Sequence, residues 1–223
     1  MKKVVIIGNS DAADVLYRYM YSDPRWEVIG FCVDEGFVKE RLKFDLPVVS
    51  IDQIAGFFKG DFCAVMGVGY SGMNSIRETL YSKVKSMGIK ISSYIHPDSK
   101  VYTEEERIGD GSLILPGVIV EPYATIGENS VLWSGSVIGH HSVVGNNCWI
   151  SSGVVVSGHC VIGNNSFLGV GSVISNGVCL AERNIVGAGG SVFKSTRVDE
   201  VYISAQSENH RFKASDFMKY FMR

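Results

Sequence analysis

Three of the chain's five histidines cluster in one stretch, at His140, His141 and His159. An imidazole with its ordinary pKa of about 6.5 is largely neutral at pH 7 and can take a proton from an attacking amine or hydroxyl. Gly158, just before His159, brings a backbone N–H that could steady a developing oxyanion beside such a base. Two other readings compete. A histidine pair at a polar turn is often only solvated surface, and three histidines can ligate a metal ion. Adjacent residues in a turn usually diverge, and no carboxylate completes the set, so no metal is expected. His96 beside Pro97 and His210 near the end have no visible partner, and structural roles are expected for both. No Ser-His-Asp or Cys-His constellation stands out.

What brings these histidines together is a period of six. Every sixth residue from Ile108 to Val186 is Ile, Leu or Val, fourteen in succession, and the residue four places on is mostly small, as at Ser112, Ser130, Ser142, Cys148 and Cys160. This grammar predicts a parallel β-helix of short strands and tight turns. Three hexads complete a coil, so residues eighteen apart stack about 4.8 Å apart, as neighbouring strands do. His159 then lies above His141, and Gly158 above His140. Along each strand the aliphatic residue points in and its predecessor out. One outward ladder collects Leu113, Val131, Trp149, Phe167 and Ile185, a second Ile119, Val137, Val155, Val173 and Ser191, a third Arg107, Thr125, Val143, Val161 and Cys179. The first is too apolar for solvent and is expected to be buried against another subunit.

Residues 1–95 follow a different rule, with strand-like runs alternating with helix-like ones. Strands are expected at Val4–Ile7, Glu27–Val33, Ala64–Met66 and Ile89–Ile95, and helices at Asp11–Tyr21 and Met73–Met87. That alternation predicts a small Rossmann-like parallel sheet, whose ligands sit in loops at the carboxyl ends of its strands. Those loops are Gly8-Asn9-Ser10-Asp11, Asp34-Glu35 and Gly67-Val68-Gly69. The first lacks the second glycine of a dinucleotide loop, so NAD or FAD is not expected. The expected fold is thus α/β at 1–95, then β-helix at 96–192, then a tail at 193–223 with a short helix over Ala214–Tyr220.

Composition narrows the function classes. The 223 residues carry a net charge of −2, without the basic excess that nucleic acid or an anionic membrane would call for. The apolar run after Met1 is too short for a signal peptide or anchor, and no stretch approaches the roughly 20 apolar residues of a membrane span. The five cysteines have no metal-type spacing, and Cys148 and Cys160 occupy the small-residue slot, so both read as core thiols. A cytoplasmic location is expected.

Taken together, the chain resembles the PglD/NeuD-type bacterial sugar acyltransferases. The resemblance rests on Ile7-Gly8-Asn9-Ser10, the Asp34-Glu35 pair, Gly67 through Arg77 (GVGYSGMNSIR), Tyr94-Ile95-His96-Pro97 and Ile138-Gly139-His140 inside the hexads. It implies a left-handed β-helix and acetyl-CoA-dependent N-acetylation of an amino sugar carried on a nucleotide, in homotrimers with active sites between subunits. By the same resemblance His140 is the catalytic histidine, and Gly158 supplies the N–H facing the thioester carbonyl. Val170 and Ala188, with His159, line the CoA groove, while Asn9, Ser10, Asp34 and Gly67 hold the nucleotide sugar. Departures stand at His141, where the family often has Asp or Glu, and at Trp133 and Trp149, where it has Asn and His. Tyr202-Ile203-Ser204-Ala205-Gln206 replaces its GxPAK-like segment. Without a carboxylate neighbour, His140 is left to His141 or His159 for orientation. The alternatives are a sugar O-acetyltransferase, a trimer that binds a nucleotide sugar without catalysis, and a metal-dependent hexapeptide enzyme similar to the gamma-type carbonic anhydrases.

Overall fold

The computed structural model describes residues 1–207 together with 213 and 214. His210 and, beyond Ala214, the helix expected at the end of the chain lie outside the described residues. The first half is a five-stranded sheet: β1 (Lys2–Ile7), β2 (Trp26–Val33), β3 (Leu42–Lys43), β4 (Leu46–Ser50) and β5 (Cys63–Met66), in the order β3-β4-β2-β1-β5. All pairings are parallel except the small β3–β4 hairpin at the edge, which the sequence pattern did not announce. The helices are α1 (Asp11–Tyr21), α2 (Ile54–Phe57) and α3 (Ser75–Ser86). In α1 the apolar residues Ala13, Leu16 and Met20 recur at helical spacing and are fully buried against the sheet. The final expected strand does not join this sheet. Ile91 makes a single bridge to Ala64, and Tyr94–Ile95 pairs with Leu113–Ile114 of the coil instead.

The second half is the left-handed coil that the hexads and the resemblance imply. Three parallel sheets stack residues eighteen apart, as in Val131↔Trp149, Trp149↔Phe167 and Val137↔Val155. Pairing reaches from Tyr94–Ile95, ahead of residue 96, to Val201–Tyr202, beyond residue 192. The hexad aliphatics, Ile114 through Val192, form one continuous buried stack. Each contributes about 1.5–3 kcal/mol by leaving water. The small residues behind them satisfy the corners. Ser130 Oγ donates to Gly145 O at 2.8 Å, Ser142 Oγ to Ser157 O at 2.8 Å, and Cys148 Sγ to Gly163 O at 3.2 Å. Burial pushes the Cys148 thiol up to about 12, so it is an inert core group.

The fourth place of every hexad turns the corner with φ positive, at Tyr123, Asn129, His141, Asn147, His159, Asn165 and Arg183 and at seven glycines. A left-handed conformation costs a residue with a Cβ about 1–2 kcal/mol, which explains why Gly and Asn fill most of these places. His141 and His159 accept that cost.

The first three residues of the first outward ladder need no second subunit to bury them. Leu113, Val131 and Trp149 are buried within the chain itself, in one cluster with Val4, Leu16, Met20 and Phe31 of the N-terminal half. Tyr70, on the loop after β5, sets its ring 5.1 Å from Trp149 and 5.0 Å from Phe167. The period correctly made these residues outward from the coil; the covering layer is the chain's own sheet and helices. The corner beyond this face takes α3: Tyr81 OH and Lys85 Nζ donate to Glu128 at 2.9 and 2.7 Å, and Asn165 Nδ2 donates to Glu78 at 2.8 Å.

At the centre of the seam Arg77 is completely buried, with no carboxylate partner among the described residues. Its guanidinium donates to Met66 O and Val68 O on one side (3.1 and 3.0 Å) and to Asn129 O and Gly111 O on the other (2.9 and 3.3 Å). Burial pulls its pKa down to about 9, which leaves it charged at neutral pH. Arg77→Met strands four carbonyls and should cost about 3–5 kcal/mol. Arg77→Lys, whose point charge cannot span both halves, should lose nearly as much; urea midpoints for the two variants check this. At the other end of the sheet, Arg25 bonds both the buried carboxylate of Asp23, at 2.6 Å, and Ile95 O, at 2.7 Å. The hydrogen bonds from Arg25 hold the Asp23 carboxyl below its usual range. A depressed carboxyl contributes stability that is present above the unfolded value of about 3.9 and lost as pH falls through the folded one. Asp23→Asn should therefore flatten the dependence of Tm on pH below about pH 4.

Candidate active site

The coil presents its histidines at the corner between the second and third faces. His140 and His141 are the third and fourth residues of the hexad that follows the strand Val137–Ile138, and His159 is the fourth residue one coil on. The expected stacking holds: His159 N–H donates to His140 O at 2.9 Å. All three side chains are exposed. Contrary to the expectation for adjacent turn residues, His140 and His141 converge, with their Nδ1 atoms 3.1 Å apart. The His140 and His159 ring centroids are 5.0 Å apart, and the His141 ring stacks on that of His159 at 4.9 Å.

Gly158 lies directly beneath the His140 ring. A Cβ built there would sit 2.7 Å from Cε1 and 2.8 Å from Nε2 of that imidazole. Its backbone does not need glycine, since its φ is not positive, and the third hexad place elsewhere holds Asp, Pro, Glu, Ser, His, Asn, Val or Ala. The ring above it is what leaves no room for a side chain. Gly158 is buried, and among the described residues its N–H has no acceptor. The corresponding amides of Glu128, His140 and Asn146 donate to side chains, to Asn146 Oδ1, Glu121 Oε2 and Asn164 Oδ1, each at 2.8 Å, and those of Ser134, Ser152, Asn164, Val170 and Asn176 lack an acceptor among the described residues as Gly158 does; of all these places only Gly158 is buried. An unspent amide beside an imidazole is a donor still able to bind developing negative charge.

The Nδ1–Nδ1 contact decides what His140 can do. One of the two nitrogens must carry the proton. When His140 donates, its Nε2 is left with a free lone pair over Gly158 and can act as a base; His141 is then the orienting acceptor. Sequence reasoning overlooked the coil below. Glu121 binds the His140 amide, and the Tyr123 ring lies 4.8 Å from that of His141. Counting eighteen residues backward as well as forward reaches Tyr123 from His141, and Pro122 from His140, with Glu121 one place before it.

Val170 and Ala188 stand elsewhere, on the corner that follows the first face. With Tyr70, Trp133, Trp149 and Phe167 they line an open groove of about 370 Å³. It continues between Tyr70 and Trp133 to Ser10 at the start of α1. Tyr70 could not be placed from sequence, because nothing in its loop says where the loop lands. The three N-terminal loops are brought side by side, since β2, β1 and β5 are adjacent. Ser10 is the N-cap of α1, Asn9 O accepts from Lys43 Nζ at 2.6 Å, and Asp34 pairs with Lys83 at 2.8 Å. Gly67 lies so close to Ile6 and Ala13 that packing alone accounts for its lack of a side chain. Within one chain, then, His140, His141, His159 and Gly158 form one group, and Val170, Ala188 and Ser10 border another.

Residues 107–140 and 141–176 match the model of the bacterial transferase hexapeptide (six repeats) family. In fold the chain is similar to the acetyltransferase domain of PglB from Neisseria gonorrhoeae FA1090 (TM-score 0.80, 20% identity, 92% of this chain and 97% of that one). It is similar also to a His-to-Asn variant of perosamine N-acetyltransferase from Caulobacter crescentus, solved in complex with CoA and GDP-perosamine. That match has a TM-score of 0.80 and 24% identity over 92% of this chain and 94% of that one. WeeI from Acinetobacter baumannii AYE has a TM-score of 0.72 at 18% identity, covering 92% and 97%. No curated protein sequence matches. The chain thus has the architecture expected from its resemblance to the PglD/NeuD type.

Gly158→Ala provides a local test of this geometry. The fold should hold, with stability changed by no more than about 1 kcal/mol, while the added methyl displaces the His140 ring. Histidine ring resonances in NMR spectra would report the displacement; unaltered His140 signals would contradict it.

Proposed function

We propose that the protein is an acetyl-CoA-dependent N-acetyltransferase acting on an amino-deoxy sugar carried by a nucleotide, in cytoplasmic synthesis of a surface polysaccharide or glycan. The observation that carries this reading is the buried, acceptor-free Gly158 amide beneath the His140 Nε2. The likeness in fold to an enzyme solved with CoA and GDP-perosamine supports it. In the reaction the sugar amine attacks the thioester carbonyl, and the Gly158 N–H stabilises the oxyanion of the tetrahedral intermediate. His140 Nε2 takes the proton released by the attacking nitrogen and becomes imidazolium, while its Nδ1–H stays on His140, hydrogen-bonded to His141 Nδ1. Collapse of the intermediate breaks the C–S bond, and the protonated His140 returns the proton to the departing thiolate. The amide product and free CoA thiol then balance the reaction.

In this reading the two groups of site residues belong to one active site made by two protomers. The histidine corner of one coil faces the Val170–Ala188 corner of the next in a homotrimer. The pantetheine arm runs between them, and the nucleotide sugar lies against Asn9, Ser10, Asp34 and Gly67. Separation of the two corners within a single chain supports this arrangement.

Incubation with acetyl-CoA and a panel of nucleotide-linked amino sugars, followed through free thiol, tests the activity. Thiol release should require both substrates, and His140→Ala should lower kcat by about 10²-fold. An undiminished His140→Ala would remove the base from the mechanism and point to an amine that needs no help. Sugar-nucleotide binding by calorimetry without thiol release from any acceptor would instead indicate a binding protein. A monomeric sedimentation profile would refute the shared site.

A further inference from the structure

The histidine corner has a second capacity. Two imidazole nitrogens 3.1 Å apart, Nδ1 of His140 and Nδ1 of His141, must have something between them. A proton is one possibility, and a cation is the other. In a tetrahedral site with metal–nitrogen bonds of about 2.0–2.1 Å, ligand nitrogens stand roughly 3.3 Å apart, so this pair is already spaced for one ion. His159 supplies a third nitrogen from the next coil, and the three ligand atoms all lie within 4.8 Å of one another. The backbone positions are set by the rung, through His159 N–H to His140 O at 2.9 Å, while the rings are exposed and free to turn the remaining distance. Glu121, held at the His140 amide, places a negative charge beside the cluster.

We propose that His140, His141 and His159 bind one divalent ion of the zinc, nickel or copper class, and that its binding withdraws His140 from proton transfer. An all-imidazole donor set favours these ions over magnesium or calcium, which prefer oxygen. Three protein ligands leave the fourth position open to water. The metal and the His140–His141 proton compete for the same lone pairs, so the two states exclude each other. The second half of the proposal rests on the acyl-transfer reading, but the first half does not.

Cobalt(II) titration of the chelator-stripped full chain, followed by its visible absorption, tests the binding, with zinc calorimetry for stoichiometry. One ion per chain is expected. His141→Gln and His159→Gln, verified as folded by circular dichroism, should each weaken binding at least about tenfold, the scale that even changes outside the ligand shell produce. His96→Gln should leave the titration unchanged. Absence of a cobalt band, or binding indifferent to both cluster variants, overturns the site. Saturating zinc should also reduce thiol release at least tenfold, reversibly with chelator. Zinc that binds through these histidines while transfer continues at full rate overturns the coupling alone. A chain without transfer activity refutes the acyl-transfer reading and the coupling that rests on it, while the metal titration still decides the binding.

Discussion

Each coil of the helix is hydrogen-bonded to the next across its corners as well as its faces. His159 N–H meets His140 O, Gly177 N–H meets Gly158 O, and Ser157 N–H meets Ile174 O, at 2.9, 3.0 and 3.0 Å. These bonds lock residue n to residue n + 18. A slip of one position would turn every buried aliphatic outward, so the register is held by the whole core rather than by any single contact. A corner in such a stack is a rigid mount. It fixes the backbone that carries an imidazole beside a bare amide, and positioning of the carrying backbone is part of what transfer chemistry requires.

The N-terminal half is fastened to this mount at one unusual point. A guanidinium removed from water is costly, and here no carboxylate compensates Arg77. Instead four carbonyls share it, one at the end of β5, one just after it and two from coil corners. Neither half alone offers the full set of acceptors. The charge is therefore stabilised only when both are docked, which couples the position of the Tyr70 loop to that of the coil. The aromatic groove of Tyr70, Trp133, Trp149 and Phe167 is a product of that docking, since its walls come from both halves.

The proposed proton transfer and the proposed metal binding draw on the same feature of the histidine corner, the convergence of two adjacent rings. Elsewhere in the coil the left-handed corner place mostly holds Gly or Asn, which tolerate that conformation at little cost. Histidine at 141 and again at 159 spends conformational energy to bring imidazoles onto consecutive rungs. His141 then stands where an orienting carboxylate would otherwise be, with the difference that a second imidazole can also serve as a ligand.

The period of six by itself determined the coil, the inward aliphatics, the buried thiols of Cys148 and Cys160, and the placing of Gly158 over His140. These follow from backbone repetition, and repetition is written directly in residue spacing. The span of the helix over Asp11–Tyr21 was equally legible, though the face it buries, Ala13, Leu16 and Met20, is not the Val15, Leu16 and Tyr19 stripe that the sequence suggests. Other features depended on contacts between segments remote in sequence. The outward position of Trp149 was evident, but not that the chain's own sheet covers it; the hairpin at Leu42–Ser50 has too short a pattern to register. The quartet of carbonyls around Arg77 and the meeting of two Nδ1 atoms were decided by tertiary structure alone, because docking and side-chain rotation leave no period in the chain.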